Sequence, residues 1–324
     1  MRALVCREFG PPSGLEVKDL PAVTPGDREV VVRVEAAGLN YPDALMVEGR
    51  YQVKPPLPFV PGMELAGVVS AVGAGVQEVH AGDPVMVAAG TGAFAEACRA
   101  PVERVYRRPA SLGADVAAAS LITYGTAVHA LEDRARLRAG ETLLVLGAAG
   151  GVGTAAIQVG KQLGATVLAA ASSRAKLEVC RAAGADHVLD YGTENLRDRL
   201  KELTGGRGVD VVFDPVGGSL AEPALRGTAW GGRFLVIGFA SGDIPKLPLN
   251  LTLLNERSIV GVYWGDWAQR NRAASAEQLR RTAESLAAGR LRPVISARLR
   301  LEEVPRAMED LLQRRAHGKL VVLP

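Results

Sequence analysis

One segment limits what this chain can fold into more than any other: residues 143–165 read LLVLGAAGGVGTAAIQVGKQLGA. A continuous apolar run, typical of a strand buried on both faces, stops at Gly147, Gly150 and Gly153, and a helical apolar period follows. In a dinucleotide-binding turn one glycine makes the turn, one lets a pyrophosphate approach the backbone, and one lets the helix pack closely on the strand. The spacing GxxGxxG differs from the usual GxGxxG, so the segment needs support from its surroundings.

The surrounding chain supplies that support, because apolar strands alternate with helices from residue 142 to residue 264. Six strands are predicted, at residues 142–147, 166–171, 188–191, 209–214, 232–239 and 259–264. Strands without polar alternation, separated by helices, are typical of a parallel sheet covered on both faces. We therefore predict an α/β fold in which residues 119–264 form a doubly wound, six-stranded parallel sheet of the Rossmann type.

The first third of the chain has a different character. Valine-rich strands bounded by glycine and proline are predicted at residues 29–36, 65–72 and 85–88. Residues 55–62 (PPLPFVPG) can form neither a helix nor a central strand. We predict an irregular all-β module here, followed by an alanine-rich helix over residues 115–131 that Asp115 caps at its N-terminus.

The strand after the glycine-rich helix indicates which dinucleotide is bound. An NAD site usually ends this strand with Asp or Glu, which bonds the ribose 2′-hydroxyl. Here the strand ends AAASSRAK without an acid, and its hydroxyl and cationic groups suit a 2′-phosphate: Ser172, Ser173, Arg174 and Lys176. These residues predict NADPH in preference to NADH. The alternative is that Ser172 or Ser173 caps the next helix, and the two roles are compatible.

Composition excludes several classes of function. The 38 basic and 35 acidic residues leave a net charge of +3 spread along the chain, too small to indicate nucleic acid or an anionic membrane as a partner. Three well-separated cysteines, Cys6, Cys98 and Cys180, cannot form a disulfide framework, which favours a reducing cytoplasm. The four histidines are scattered and none has a cysteine near it, so no zinc site is predicted.

No nucleophile elbow or Cys–His pair is visible, which leaves the difficult chemistry to a nicotinamide ring. The protein then supplies orientation and hydrogen bonds to developing negative charge. Asn40, Tyr41 and Tyr51 lie beside the proline-rich loop and are the candidates to line the site, with ordinary packing as the alternative for both tyrosines. Glu64 in PGMELAG is either an acid–base group or a structural hydrogen-bond acceptor.

Together, these motifs resemble those of the zinc-independent quinone oxidoreductases, the ζ-crystallin-like family of medium-chain dehydrogenases/reductases. The resemblance covers the whole chain and rests on residues 38–73, on the glycine-rich segment, on DPVGG at residues 214–218, on GRFLVIGFASG at residues 232–242 and on the closing GKLVVLP. Zinc-dependent relatives carry a cysteine where this chain has the Asn40 region, and a GHE motif where it has GME at residues 62–64. The resemblance therefore agrees with the absence of a metal.

The resemblance also implies roles for individual residues. Asn40 and Thr126 would approach the nicotinamide, and Tyr51 keeps a tyrosine of the family, whereas Leu45 replaces a second tyrosine found in some members. The other implied cofactor contacts are Gly150, Gly151 and Val152 with the pyrophosphate, Lys176 and Tyr191 with the 2′-phosphate, Gly238, Phe239 and Ser241 on the nicotinamide side, and Arg315 from the C-terminal segment.

The family fold implies a GroES-like substrate domain formed by residues 1–118 and 265–324, split in sequence around the NADPH-binding Rossmann domain. It also implies a homodimer that pairs the last Rossmann strand edge to edge, at residues 259–264, with Ile259 and Trp264 at its ends.

We therefore expect a cytoplasmic, metal-free NADPH-dependent reductase that transfers a hydride to quinones or related electrophilic enones in the cleft between its domains. Asn40, Tyr51 and Thr126 are the expected catalytic residues. One alternative is a 2-enoyl-thioester (enoyl-CoA) reductase. An alternative of another class is a non-catalytic NADPH-binding protein with a crystallin-like or RNA-binding role, although neither a nucleic-acid nor a membrane partner is expected from the charge.

Overall fold

The computed structural model describes all 324 residues, and the chain divides into two compact units. The first unit comprises Met1–Ile122 and Asn271–Pro324, and the second comprises Thr123–Arg270. The chain thus crosses between the units after residues 122 and 270, whereas the boundaries predicted from the sequence lie after residues 118 and 264.

The strands, numbered along the chain, are β1 (Arg2–Val5), β2 (Glu16–Asp19), β3 (Glu29–Leu39), β4 (Glu64–Val72), β5 (Pro84–Val87), β6 (Ala97–Pro101), β7 (Val105–Arg107), β8 (Thr142–Val145), β9 (Thr166–Ala171), β10 (His187–Asp190), β11 (Val209–Asp214), β12 (Thr228–Val236), β13 (Ser258–Gly261), β14 (Ile295–Leu299) and β15 (Lys319–Val322). The α-helices are α1 (Tyr41–Val47), α2 (Ala114–Ala118), α3 (Leu121–Val128), α4 (Gly151–Gln162), α5 (Arg174–Ala182), α6 (Leu196–Leu203), α7 (Ala221–Arg226), α8 (Asn250–Leu253), α9 (Trp264–Arg270), α10 (Arg272–Ala287) and α11 (Val304–Leu312). None of these helices is long and apolar enough to span a lipid bilayer.

The first unit is built on a seven-stranded sheet in the order β14-β15-β3-β4-β5-β7, with β6 also paired to β3. The valines of β3 that alternate toward the core, among them Val30 and Val32, are fully buried. The register sets Leu320 of β15 opposite Leu39 of β3. On the other side of β3, Gly38 lies opposite Glu64 of β4.

The prediction of an all-β module in the first unit is wrong at one place, because α1 follows β3 directly. Pro42 occupies the first turn of this helix, where a missing N–H is harmless. The Asp43 carboxylate accepts a hydrogen bond from the Asn40 backbone N–H at 2.8 Å and so closes the N-terminus. Helix and cap together span eight residues, too short for a clear periodic pattern in the sequence.

The second unit confirms the predicted six-stranded Rossmann sheet. Its strand order is β10-β9-β8-β11-β12-β13, and every pair of neighbours is parallel. Counted within the unit, this is the doubly wound order 3-2-1-4-5-6. The central strands are buried on both faces, as their uninterrupted apolar sequences predict, and α4 follows the first of them at Gly151.

Several predicted elements have different bounds in the structure, and three of them bear on the site or on the proposed dimer. The strand predicted over residues 232–239 ends at Val236, and the one predicted over residues 259–264 ends at Gly261, so that Trp264 begins α9 instead. The helix predicted over residues 115–131 is interrupted: α2 has Gly113, not Asp115, at its N-cap, and a π-helical turn, His129–Arg134, follows α3. The interruption has a tertiary cause, because the Ile122 N–H at the start of α3 donates to the Glu64 carboxylate at 2.8 Å.

Candidate functional site

Each of the three glycines after β8 meets a different structural requirement of a dinucleotide-binding turn. Gly147 has a φ of 55°, a left-handed conformation that favours glycine, and makes the turn. A Cβ at Gly153 would come within 2.6 Å of the Gly147 carbonyl oxygen, so Gly153 permits the close approach of α4 to the turn. A Cβ at Gly150 would meet only that oxygen, at 3.4 Å. Packing therefore leaves Gly150 unconstrained, and its missing side chain keeps the helix N-terminus open.

The N-terminus of α4 carries no acidic side chain in its first turn. The Thr154 hydroxyl turns inward and donates to the carbonyl oxygens of Gly150 and Gly151, both at 3.1 Å. The first backbone N–H groups of Gly151 and Val152 belong to residues that are only partly buried. A partly exposed helix N-terminus without an opposing carboxylate can bind an anion such as a pyrophosphate.

The end of β9 brings together the residues predicted to select the cofactor. The Lys176 ammonium Nζ donates to the Ser172 hydroxyl at 3.4 Å. Ser173 occupies the N-cap of α5, but its side chain makes no capping hydrogen bond. The Tyr191 N–H, after β10, donates to the Ala171 carbonyl at 3.1 Å and thus lies beside the same strand end. Arg174, the first residue of α5, is exposed.

A lysine in the first turn of a helix opposes the helix dipole, so Lys176 is unfavourably placed with respect to α5 alone. No acidic residue in that turn compensates for it. A dianionic phosphate beside Ser172 and Lys176 would relieve this conflict and would accept their hydrogen bonds. The arrangement therefore fits the 2′-phosphate of NADPH better than the 2′-hydroxyl of NADH.

The loops after β11 and β12 are held against each other at the same edge of the sheet. The N–H groups of Ala240 and Ser241 donate to the Pro215 and Val216 carbonyls at 3.0 and 2.9 Å. A Cβ at Gly217 would come within 2.8 Å of the Phe239 ring, and one at Gly218 would lie equally close to the Ser241 hydroxyl. The DPVGG glycines thus allow the segment from Gly238 to Ser241 to pack onto the neighbouring loop.

The Asp214 side chain stabilises the loop after β11. Its buried carboxylate accepts hydrogen bonds from the N–H groups of Val216 and Gly217 at 2.8 and 2.9 Å. Burial raises the pKa of the Asp214 carboxyl, and the two backbone hydrogen bonds oppose that rise. The DPVGG motif showed this aspartate in the sequence, but only the structure shows that it shapes the turn.

In the first unit, a buried polar cluster surrounds Asn40. The Asn40 amide Nδ2 donates to Glu64 Oε1 at 2.8 Å, and the Lys319 Nζ donates to the same carboxylate oxygen at 2.6 Å. Lys319 also donates to Asn40 Oδ1. Glu64 is therefore the structural hydrogen-bond acceptor that one of the two interpretations of its sequence predicted. Sequence reasoning missed Lys319, although the closing GKLVVLP shows a lysine at the start of an apolar strand.

The remaining predicted site residues lie on other elements of the two units. Thr126 is half-buried on α3 in the second unit. Tyr51 follows α1 in the first unit, and its half-buried ring packs against the apolar core there. The Arg315 guanidinium, also in the first unit, pairs with the Asp310 carboxylate at 2.7 Å after the end of α11. Within the first unit, Arg315 is therefore held by a neighbouring acid.

The residues present do not fit a zinc ion. No three His, Cys, Asp or Glu side chains come together in a set that could hold a metal. Burial raises the pKa of Cys98 and of Cys180 to about 12, so neither is a ready thiolate ligand. The Glu64 carboxylate, which accepts a hydrogen bond from Asn40, is paired with the Lys319 ammonium.

Comparison with known proteins extends over the whole chain. Residues 26–119 match the family model of the alcohol dehydrogenase GroES-like domain, and residues 151–280 match that of the zinc-binding dehydrogenases. The quinone oxidoreductase-like protein 2 homolog of Nematostella vectensis is 38% identical over 323 residues, which are 99% of this chain and 88% of that protein.

Two solved structures complexed with NADPH are similar along their full length. A mycobacterial protein has a TM-score of 0.93 at 32% identity, with 100% of both chains covered. The Escherichia coli quinone oxidoreductase also has a TM-score of 0.93, at 29% identity and with 100% of both chains covered. The GroES-like and nucleotide-binding parts of the predicted fold are thus both matched by known proteins.

Proposed function

This chain belongs to the quinone oxidoreductase family of the medium-chain dehydrogenases/reductases, and from that premise we propose that it reduces quinones or related electrophilic enones with NADPH. The family makes it an oxidoreductase. The quinone is supported by the names of its relatives, whereas the cofactor is supported by this chain's own residues.

One observation carries the cofactor assignment: the turn after β9 has no acid and instead places Lys176 beside Ser172. A carboxylate at this position would repel a 2′-phosphate, and a lysine with a hydroxyl attracts one. The uncommitted Ser173 hydroxyl and the adjoining Tyr191 complete a surface of the right chemistry. NADPH is also the cofactor present in two structurally similar proteins.

When bound, NADPH supplies a hydride from C4 of its nicotinamide ring. In our proposal the chain itself binds and orients. Gly150, Gly151 and Val152 hold the pyrophosphate, and Gly147 and Gly153 keep the turn and helix close enough to do so. The loop from Gly238 to Ser241 follows the nicotinamide side, with Arg315 as a further cofactor contact.

The residues proposed to meet the nicotinamide and the substrate are Asn40, Tyr51 and Thr126. Reduction of a quinone or an enone leaves negative charge on oxygen before protonation, and a hydroxyl or backbone N–H can stabilise that charge. Thr126 and Tyr51 carry such hydroxyls.

We also propose a homodimer that forms through β13. This strand pairs only with β12, so one of its edges has no partner strand. Large apolar side chains are exposed around it: Trp230, Leu249, Leu253, Leu254, Ile259 and Tyr263. An unpaired edge beside exposed apolar residues is suited to a symmetric partner. A cytoplasmic location is proposed as well, because all three cysteines are free thiols.

The deciding experiment is anaerobic oxidation of NADPH, followed by absorbance, with a benzoquinone, an ortho-quinone and an enoyl-CoA as separate acceptors. NADH is run beside NADPH as the matched cofactor. We expect turnover with the quinones and a preference for NADPH of at least about 10-fold in kcat/KM, equivalent to one charge-assisted hydrogen bond. Turnover with the enoyl-CoA alone would assign the protein to thioester reduction. Binding of NADPH without oxidation by any acceptor would contradict a catalytic role.

A further inference from the structure

The cluster around Asn40 is assembled by three neighbouring strands rather than by sequence proximity. Strand β3 lies between β15 and β4 in the sheet. Because Leu320 is opposite Leu39, the preceding Lys319 reaches the residue that follows β3, which is Asn40. Because Gly38 is opposite Glu64, that carboxylate reaches Asn40 from the other side. Asn40, Glu64 and Lys319 are 7%, 0% and 3% exposed, so the cluster is shielded from water.

The two charged neighbours leave only one orientation for the Asn40 amide. An ammonium can only donate hydrogen bonds, and an ionised carboxylate can only accept them. Oδ1 must therefore face Lys319, and Nδ2 must face Glu64 Oε1 at 2.8 Å. The reversed amide would set donor against donor and acceptor against acceptor within a buried site.

The Glu64 carboxylate is itself fixed in place. Its second oxygen, Oε2, accepts from the Ile122 N–H at 2.8 Å, which ties it to the start of α3. Gly38 gives it room, because a Cβ there would overlap with Oε1 of Glu64 and with the Ala118 carbonyl oxygen. A carboxylate held at both oxygens can hold its own partners in fixed positions.

This geometry uses both N–H donors of the Asn40 side-chain amide. An amide has two N–H donors and two lone pairs on its oxygen. One N–H binds Glu64, and the other points to the Gly38 carbonyl at 3.3 Å. Lys319 donates to Oδ1, so a bound ligand can meet the Asn40 amide only at its oxygen.

We propose that Lys319 and Glu64 are positioning residues for Asn40, and that they restrict Asn40 to accepting a hydrogen bond from a bound ligand. The role toward a ligand rests on the proposed function, in which Asn40 meets the nicotinamide. The group it recognises is then a donor, such as a carboxamide NH₂ or a hydroxyl, and not a negatively charged oxygen. Negative charge that develops on the substrate oxygen is then stabilised by other groups, such as the hydroxyls of Thr126 and Tyr51.

How firmly the Asn40 amide is held can be tested directly, because the chain contains only five asparagines. Asn40 is buried, three others are exposed and Asn255 is half-buried. Protein labelled with ¹⁵N only at asparagine will show five pairs of side-chain amide signals, and the pair lost in Asn40→Asp identifies Asn40. We expect both Asn40 protons to exchange with solvent at least about 100-fold more slowly than those of the exposed asparagines. Fast exchange of either proton in the natural protein would overturn the proposal.

The roles of the two charged residues are tested by removing them together. Lys319→Met with Glu64→Gln removes the buried ion pair as a unit, and such neutral replacements of a buried ion pair often preserve stability. We expect exchange at Asn40 to accelerate at least about 10-fold while the other four asparagines keep their rates. An unchanged exchange rate at Asn40 would show that burial alone, without Lys319 and Glu64, holds the amide in place. Should this variant not fold, Lys319→Gln, which keeps a donor but no charge, takes its place with the same expectation.

A second pair of variants tests the restriction to acceptance. Asn40→Asp with Glu64→Gln moves the carboxylate to position 40, where Lys319 still has an anionic partner and residue 40 can only accept. Calorimetric titration should give a Kd for NADPH within about 3-fold of the natural protein, whereas Asn40→Leu should weaken binding about 10-fold, the equivalent of one hydrogen bond. Equal loss in both variants would show that Asn40 donates.

The two proposals fail in different ways. If the natural protein does not bind NADPH, the proposed function fails, but the exchange of the Asn40 amide still decides whether Lys319 and Glu64 position it. If NADPH binds and is oxidised while the Asn40 protons exchange rapidly, the function stands and the positioning proposal is wrong.

Discussion

Lys176 Nζ donates a hydrogen bond to Ser172 Oγ at 3.4 Å across the start of α5, so a cation and a hydroxyl meet where an NAD-binding protein usually places an acid. The contact lies at the carboxyl edge of a parallel sheet, where ligands bind in folds of this class. It links a local sequence, AAASSRAK, to the choice between two cofactors that differ by one phosphate.

Replacing this lysine should therefore reduce the preference for NADPH. We expect Lys176→Met to raise KM for NADPH about 10- to 100-fold, because a charge-assisted hydrogen bond to phosphate contributes about 1.5–3 kcal/mol. KM for NADH should stay within about 2-fold, since NADH has no 2′-phosphate. The matched control is Lys201→Met on the exposed face of α6, which should change neither value. Equal losses with both cofactors would point to a damaged fold.

The glycines of the turn allow a prediction that separates packing from binding. Gly153→Ala places a Cβ within 2.6 Å of a backbone oxygen, so we expect thermal denaturation to show a loss of stability of about 1–3 kcal/mol. Gly150→Ala meets nothing closer than 3.4 Å and should leave stability within about 0.5 kcal/mol. Its affinity for NADPH should nevertheless fall, because the methyl group lies where the pyrophosphate is proposed to approach. If Gly150→Ala binds NADPH normally, the phosphate lies elsewhere.

The parallel sheet was the part of the fold most accessible to sequence reasoning. Strands buried on both faces have uninterrupted apolar sequences, and two predicted strands, residues 166–171 and 209–214, have the bounds found in the structure. The strand predicted to reach residue 239 stops at Val236, because the N–H groups that follow bond to the Asp214–Val216 loop instead of a strand. That choice depends on a neighbour more than 20 residues away in sequence and leaves no mark in the local pattern.

The site around Asn40 shows the same limit more strongly. Asn40 and Glu64 could be singled out because polar residues stand in apolar or turn-rich segments. Lys319 could not, since a lysine at the start of a strand usually lies on the surface. Its burial follows from the β15–β3 register, and the break between α2 and α3 follows from the bond between Ile122 and Glu64. Both are long-range pairings.

Asp43 gives the stability of the protein a pH dependence opposite to that produced by an ion-paired carboxylate. It is fully buried, and burial raises its pKa from 3.8 to about 7, against the hydrogen bond from Asn40 and the charge of Lys319. Because the folded state binds this proton more tightly than the unfolded state, the stabilisation is complete below about pH 4 and is lost as the pH rises toward 7.

Denaturant unfolding at pH 5 and pH 8 will test this. We expect Asp43→Asn, which keeps an acceptor for the Asn40 N–H, to gain about 2 kcal/mol relative to the natural protein between these two pH values. The control Asp27→Asn removes an exposed carboxylate and should show no such gain. A difference between Asp43→Asn and the natural protein that does not change with pH would mean that Asp43 titrates normally.

The unpaired edge of β13 leads to a prediction about assembly. The Gly231 N–H donates to the Asn255 carbonyl at 2.9 Å, which brings Trp230 on β12 close to Leu254. Trp230, Leu253 and Leu254 are 68%, 79% and 62% exposed, an apolar surface larger than isolated surface residues form.

If a second copy covers these residues, Leu253→Lys with Ile259→Lys places two charges in an apolar interface and should dissociate the dimer. Light scattering after size exclusion should then show the mass of one chain, 34.0 kDa, where the natural protein shows twice that mass. The control is Leu323→Lys in the first unit, where the leucine is 39% exposed against 38% for Ile259, and it should leave the dimer intact. A natural protein that already runs as a single chain at micromolar concentration would contradict the dimer, and the apolar surface would then need another partner.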